Sequence, residues 1–175
     1  MLFFLFSVNG INAAPKLTPA KIKAAYTYKF TKFVTWPTDS AISKNQISIC
    51  ILGEEGISNE LEPLDGRKID GRLISINRLS SVQDAMKCHI LYISSSKNHE
   101  LKAILADLRH LPVLTISSIR GFAEHGGMID FVLQHNKVKF RINQAAIKQG
   151  NLQISAKLLE LSLKVYNRVS NGEVK

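Results

Sequence analysis

Cysteine is scarce in this chain, and the spaced polar motifs that mark metal sites and catalytic centres are missing. Its 175 residues include two cysteines, Cys50 and Cys88, too few for a disulfide-built scaffold or a four-ligand zinc site. The five histidines form no H-E-x-x-H or H-x-H pair, and there is no G-x-S-x-G nucleophile turn. These absences leave no candidate catalytic residue, although they do not exclude an enzyme, and they predict no metal and no cofactor.

Long apolar runs are also lacking. No stretch of about eighteen consecutive apolar residues occurs, so the sequence predicts no membrane span. The composition is 45% hydrophobic and 21% charged, which excludes an intrinsically disordered chain. A length of 175 residues favours a single domain.

Acidic residues are too few to balance the basic ones. Lys and Arg number 23 against 14 Asp and Glu, which gives a formal net charge of +9. Such an excess suits nucleic acid or an anionic surface. If the chain is exported, nucleic acid is out of reach, and the charge points to protein or envelope surfaces.

The first fourteen residues are typical of a secretory signal peptide. Apolar residues follow Met1, and the segment ends on the small residues Ala13 and Ala14 before Pro15. The positively charged start of such peptides is missing, which indicates a signal peptide truncated at its start. We predict a signal peptide over 1–14, a domain over 15–175 and a periplasmic location. The alternative is a buried N-terminal helix.

The pattern of apolar residues alternates between helix and strand. A helix begins at Thr18-Pro19 and is expected to run to Trp36-Pro37. Further segments are strands at 46–52, 72–79, 88–93 and 112–116, a helix at 97–110, a hairpin at 127–133 and 138–142, and helices at 143–149 and 155–169. We predict a single-domain α/β sandwich. Its mixed, mostly parallel sheet is flanked by helices and followed by a C-terminal antiparallel hairpin and helix.

The two cysteines fall in predicted strands, 38 positions apart. Export would place Cys50 and Cys88 in an oxidising compartment, where a disulfide persists. We favour a bridge between them; the alternative is two buried thiols that never meet.

Several motifs, in a fixed order, resemble one known family. Residues 23–37 follow the pattern K-A-A-Y-x-Y-x-F-x-x-F-x-x-W-P, and the motifs C-I-L-G, C-H-I-L-Y-I, V-L-T-I, G-F-A-E-H-G-G-M-I and F-R-I-N-Q-A-A come after it. Together they resemble the YfiR family of periplasmic proteins over about residues 18–166. Cys50 and Cys88 stand where the strand cysteines of that family lie, whereas a second pair found in some members is missing.

This resemblance implies a regulator and not an enzyme. YfiR-like proteins repress a YfiN-like inner-membrane diguanylate cyclase by binding its periplasmic sensory domain. A YfiB-like outer-membrane lipoprotein sequesters the repressor, which raises cyclic di-GMP and favours biofilm formation. Members studied tend to form homodimers. A second hypothesis is a periplasmic small-molecule-binding sensor that acts on a membrane histidine kinase or cyclase.

Two groups of apolar side chains are candidates for a binding surface. The aromatic residues of the first predicted helix exceed what an edge helix usually gives to a core, and the other group comes from the short helix and the start of the last helix. We hypothesise that part of these two groups forms a pocket for a partner, with Arg141 on its polar rim. The alternative is that all are ordinary core residues. The apolar members are Tyr26, Phe30, Phe33, Trp36, Ile147, Ile154 and Leu159.

Overall fold

The structure is a computed structural model that describes residues 17–38 and 45–167. The predicted signal peptide at 1–14 lies outside the described residues. The helices are α1 (Pro19–Phe30), α2 (Ile57–Leu61), α3 (Leu101–Leu108), α4 (Gln144–Gln149) and α5 (Ala156–Leu161). The strands are β1 (Val34–Thr35), β2 (Gln46–Leu52), β3 (Lys68–Ile69), β4 (Arg72–Leu79), β5 (Ile90–Ile93), β6 (Leu114–Ser117), β7 (Ile129–Gln134), β8 (Lys137–Asn143), β9 (Gln153–Ile154) and β10 (Lys164–Tyr166).

Eight of these strands form one mixed sheet in the order β10-β8-β7-β6-β5-β2-β4-β3. The neighbouring pairs are parallel except β7 with β8 and β3 with β4. Helices flank the sheet, and β1 pairs with β9 in a separate antiparallel ribbon. The predicted α/β sandwich with a mostly parallel sheet is confirmed, and the described residues form a single domain.

The central strands β2, β5 and β6 are buried on both sides. Because helices cover both faces of the sheet here, all residues of β5 and β6 and all but the first residue of β2 are buried. The buried positions include the polar residues Ser48, Thr115 and Ser117. The core falls into two clusters, one on each face. The first cluster packs α1 against the sheet and includes Phe30, while the second packs α3 and includes Leu108.

The predicted antiparallel hairpin is confirmed as β7 and β8. Their two-residue turn, His135-Asn136, has φ values of 48° and 58°. These left-handed conformations match the primed turns whose twist suits a tight hairpin, and Asn tolerates them better than most residues. The turn sets the register in which Phe131 faces Phe140 and Asp130 faces Arg141.

The first helix is shorter than predicted. It begins as expected, since the Thr18 side chain accepts a hydrogen bond from the Lys21 N–H and Pro19 follows the cap. It ends at Phe30, where the Thr31 hydroxyl bonds back to the Tyr28 carbonyl at 2.8 Å. The β-branched residues that follow the helix favour extended structure, so β1 forms before Trp36-Pro37 is reached.

The last predicted helix, at 155–169, is wrong in its second half. Helix α5 stops at Leu161, because the Ser162 hydroxyl bonds to the Leu159 carbonyl at 2.7 Å. The Leu163 N–H then bonds to the Phe140 carbonyl at 2.8 Å, and the chain continues as β10, parallel to β8. The open edge of β8 offers backbone partners that outweigh the amphipathic pattern of the segment.

A disulfide joins Cys50 on β2 to Cys88, two residues before β5, with their Cα atoms 5.9 Å apart. Both side chains are buried within the second core cluster. The bridge therefore crosses between two adjacent central strands and closes a long loop that includes β3 and β4.

Removing this bridge is expected to destabilise the fold strongly. In the chain-entropy model, closing a loop with a sequence separation of 38 contributes about 4 kcal/mol. Urea unfolding with and without dithiothreitol measures the loss. A Cys50→Ala/Cys88→Ala variant is the control, since reductant should not change its unfolding midpoint. Equal midpoints for the oxidised and reduced wild type would contradict the expectation.

Candidate partner-binding site

An aromatic cluster fills the junction between α1 and the β7–β8 hairpin. The Phe30 ring lies 5.1 Å from Phe140 in an edge-on contact and 6.0 Å from Phe131. Tyr26, one helical turn earlier, contacts Phe140 at 5.6 Å between centroids. Phe30, Phe131 and Phe140 are almost completely buried, whereas Tyr26 remains half-buried at the surface. Phe30 is therefore a core residue, and Tyr26 is the member of this cluster that a partner can reach.

The β1–β9 ribbon brings together the two segments that the sequence hypothesis combined. Val34 pairs with Ile154, and the Ser155 N–H bonds to the Phe33 carbonyl at 2.9 Å. Phe33 and Ile154 are both half-buried and pack against the first core cluster. Two short strands thus place the end of the helical segment beside the start of α5.

Trp36 is held in a fixed orientation by His89. Its indole N–H donates to the His89 carbonyl at 3.1 Å, and the two rings meet edge-on with centroids 5.4 Å apart. The Nδ1 atom of His89 in turn accepts a hydrogen bond from the Ser48 N–H at 3.1 Å. Trp36 stays half-buried, so a rigidly held aromatic side chain is presented at the surface.

The candidate residues divide by exposure. Phe30 and Ile147 are each 1% exposed and belong to the core. The others are half-buried and pack against the same core cluster. We name this second set the apolar edge, and it consists of Tyr26, Phe33, Trp36, Ile154 and Leu159.

Arg141 is not brought to this edge. It follows Phe140 directly on β8, and successive side chains of a strand point to opposite faces. On its own face, Arg141 donates to both carboxylate oxygens of Asp130, at 2.9 and 2.5 Å, and to Glu124 at 3.1 Å. The proposed role of Arg141 as a polar rim of the pocket therefore has no support from its position.

Arg141 instead organises a polar network that the sequence reading missed. Its guanidinium also donates to the Tyr166 hydroxyl at 3.2 Å, and that hydroxyl donates to Glu124. The Asp130 side chain is 1% exposed, so its hydrogen bonds raise the pKa of Arg141. Burial and the bond to Glu124 raise the pKa of Tyr166 to about 12. One usable signal was Asp130, a carboxylate inside an otherwise apolar strand.

One cleft in the described part of the chain lies between α3 and α4. Its lining includes Arg109, Thr115, His125 and Gln149, and its volume is about 40 Å³. Small-molecule sites usually span roughly 300–1,000 Å³. This cleft therefore has room for little more than water.

Two further features of the described residues bear on function. No group of three or more His, Cys, Asp or Glu side chains in residues 17–38 and 45–167 is placed to hold a metal ion. Within these ranges, no helix is both long enough and apolar enough to cross a bilayer.

The described residues form an α/β domain that carries the half-buried side chains of the apolar edge. Its sequence matches the YfiR/HmsC-like family profile over residues 20–163, and the chain belongs to this family. The family is regulatory and periplasmic, and in general terms it acts in cyclic di-GMP signalling. The resemblance drawn from the motifs is thereby confirmed.

Two solved structures share the fold. A conserved domain protein from Vibrio cholerae aligns with a TM-score of 0.57 and 10% identity, over 85% of this chain and 60% of its own. The ABC domain from Streptococcus pneumoniae, solved in complex with L-Trp, aligns with a TM-score of 0.55 and 11% identity, over 81% of this chain and 60% of its own. At such identities the likeness shows the fold alone. A comparison with curated proteins returned no match.

The environment of His89 makes the fold sensitive to acid. Burial first, and then the charge of Arg72, lower the pKa of His89 to about 4. An unfolded histidine binds its proton near pH 6.5, whereas His89 in the folded protein resists protonation until about pH 4. The unfolding free energy is therefore undiminished by this group above pH 6.5 and falls as the pH drops toward 4. After allowance for solvent screening, we expect the unfolding free energy to fall by roughly 2 kcal/mol over this pH range. Urea unfolding at several pH values measures the change.

A His89→Asn variant tests the source of this loss, since asparagine keeps an acceptor for the Ser48 N–H but does not titrate. Its stability should change less than that of the wild type between pH 6.5 and 4.5. His110→Asn, at an exposed position, is the matched control and should keep the wild-type profile. An unchanged profile in His89→Asn would assign the acid sensitivity to another group.

Breaking the Asp130–Arg141 pair should be costly. Asp130→Asn leaves the partly buried guanidinium without its main counter-charge, and we expect a loss of about 3 kcal/mol in unfolding free energy. Asp84→Asn removes a carboxylate from the exposed ion pair with Lys87 and should cost far less. If both variants lose the same small amount in urea unfolding, the Asp130 network is not a structural anchor.

Proposed function

We propose that this chain represses an inner-membrane, YfiN-like diguanylate cyclase by binding its periplasmic sensory domain. Sequestration of the repressor on a YfiB-like outer-membrane lipoprotein would relieve the repression, raise cyclic di-GMP and favour biofilm formation. The observation that supports this most is the apolar edge, in a chain whose match to the YfiR/HmsC-like family spans residues 20–163. A homodimer and a disulfide-stabilised fold are part of the same proposal.

The apolar edge has the physical character of an interface centre. Binding energy concentrates in a few aromatic anchors, with Trp and Tyr enriched among them. Tyr26 and Trp36 are of these types, and both are partly exposed. The hydrogen bond from Trp36 to the His89 carbonyl fixes the indole before binding, so little side-chain freedom is lost on association.

The β1–β9 ribbon fixes the backbone that carries part of the apolar edge. Its strands hold Phe33 and Ile154 in place through backbone hydrogen bonds rather than through loose side-chain packing. Leu159, on α5, adds a further half-buried side chain that packs on the same core cluster. A partner can therefore dock without reorganising the fold.

Truncating one edge residue should weaken partner binding more than stability. For Phe33→Ala we expect the dissociation constant for the cyclase sensory domain to rise about thirtyfold, equivalent to about 2 kcal/mol. Isothermal titration calorimetry with the purified sensory domain measures the change. Thermal unfolding of the variant shows that the fold is kept.

Two controls make this test decisive. Leu105→Ala shortens a half-buried side chain on the second core cluster, away from the apolar edge, and should leave binding unchanged. Phe30→Ala should cost about 3–5 kcal/mol of stability, as expected for a buried aromatic residue. Unaltered affinity in a folded Phe33→Ala protein would exclude Phe33 from the interface. Failure of the wild type to bind any cyclase domain would refute the proposed function.

A further inference from the structure

A polar cluster at the carboxyl ends of the central strands takes no part in the proposed function. Tyr92, on β5, donates its hydroxyl hydrogen to the Glu55 carboxylate at 3.2 Å, and the Ser118 hydroxyl oxygen lies 2.8 Å from that of Tyr92. The other carboxylate oxygen of Glu55 accepts the Ser95 N–H at 3.1 Å. Burial raises the pKa of Tyr92, so its hydroxyl stays protonated and can donate. We name Glu55, Tyr92, Ser95 and Ser118 the strand-end cluster.

This cluster lies where the connections of the sheet change sides. Strand β2 has β4 on one side and β5 on the other, and all three run parallel. The chain leaves β2 toward α2, which packs in the first core cluster, and leaves β5 toward α3, which packs in the second. The two connections therefore part to opposite faces of the sheet. In open α/β sheets a crevice forms at such a point, and it is where ligands bind.

Two buried hydroxyls without partners stand beside this crevice. Ser94, the first residue after β5, is 0% exposed, and within the described part of the chain its Oγ has no hydrogen-bond partner. The Oγ of Ser58, which is 2% exposed on α2, also lacks a partner there. An unpaired buried hydroxyl costs about 1–3 kcal/mol. Such groups are rare in native proteins and indicate a bound water, ion or ligand.

Ser94 faces the turn that follows β2. Gly53 begins this turn with a φ of 86°, and a Cβ added to it would stand 3.2 Å from the Ser94 Cβ and 2.5 Å from the Ser96 Oγ. Because side chains alternate along an extended segment, Ser94 also lies on the same side as Tyr92. Its hydroxyl therefore points into the crevice beside the strand-end cluster. Only glycine lets the two segments approach so closely.

The polar groups around Glu55 are hydrogen-bond donors, which suits a negatively charged ligand. The Ser95 N–H and the Tyr92 hydroxyl both donate to Glu55, and the Lys23 ammonium lies 3.9 Å from it. The side chain of Glu55 is 20% exposed and supplies the anion itself. Its turn is bounded by two glycines, whose backbone freedom lets the carboxylate withdraw.

We propose that this crevice binds a small molecule through a carboxylate or phosphate group, and that Glu55 occupies the site in the unliganded protein. The ligand oxyanion would replace the Glu55 carboxylate at the Ser95 N–H and the Tyr92 hydroxyl. It would also accept a hydrogen bond from Ser94, which Glu55 does not, and this extra bond lets it compete with an internal group. The site lies at the carboxyl end of β5, whereas Trp36 contacts the residue before its start, so it is separate from that part of the apolar edge.

Isothermal titration calorimetry of the full-length chain with inorganic phosphate at pH 7 tests this proposal. Glu55→Ala removes the internal carboxylate and keeps the donors, so its dissociation constant for phosphate should be about tenfold lower than that of the wild type. Glu54→Ala is the matched control, since it removes an exposed carboxylate from the same turn and should change the constant by about twofold at most. Glu55→Gln keeps the length of the side chain, should also bind more tightly, and replaces Glu55→Ala if that variant does not fold.

Ser94→Ala tests the role of the unpaired hydroxyl. In the Glu55→Ala background it should weaken phosphate binding about tenfold, because a hydrogen bond to a charged group is lost. In the wild type it should not lower the thermal unfolding temperature, because the hydroxyl has no partner among the described residues. Acetate in place of phosphate shows which of the two groups the site prefers, and tighter binding of either by Glu55→Ala supports the proposal.

The proposal fails if a folded Glu55→Ala protein binds neither phosphate nor acetate. Equal affinities of Glu55→Ala and Glu54→Ala would assign the gain to general charge, and a gain that Ser94→Ala leaves intact would place the anion elsewhere; both overturn it. So does a wild type without saturable binding at about a hundredfold above the dissociation constant of Glu55→Ala, because Glu55 would then be a permanent structural group. No partner protein takes part, so the outcome is independent of the proposed function.

Discussion

The register of the β7–β8 hairpin determines what both faces of the outer sheet can do. Because side chains alternate, the pairing that sets Phe140 beside Phe131 also sets Arg141 beside Asp130 on the reverse face. A slip of one residue would place charges under α1 and aromatic rings in solvent. The short turn at His135-Asn136, with its two left-handed residues, protects against such a slip. The core junction with α1 and the ion-pair network both depend on this one pairing.

Strong periodic patterns made most of the fold predictable from the sequence. Strands such as β2 and the β7–β8 hairpin are clear because apolar runs end at glycine or at polar turn residues. The ends of elements were harder to predict. Residues 162–166 fit a helical pattern, yet the free edge of β8 draws them into β10, and only the folded sheet supplies that edge. Local sequence cannot report a competing partner that is more than twenty residues away.

The candidate site was predictable in its composition but not in its arrangement. An excess of aromatic residues near α1 led us to expect a binding surface there. Nothing local distinguished Phe30, which is buried, from Tyr26, which is half-buried. Arg141 was predicted to lie on the rim of a pocket because its partners, Asp130 and Glu124, are not its neighbours in the sequence. A buried ion pair is formed by tertiary contact. A single sequence shows the two charged residues but not that they are paired.

The β1–β9 ribbon also has a consequence for how the protein forms. Val34 finds its partner at Ile154, near the opposite end of the described chain, and α1 packs on a hairpin that comes late in the sequence. Contacts of such long range slow folding, since loop closure must precede them. If the chain crosses a membrane from its N-terminus, the aromatic side chains of α1 emerge long before their partners. During that interval they have none of the aromatic partners that bury them in the folded protein.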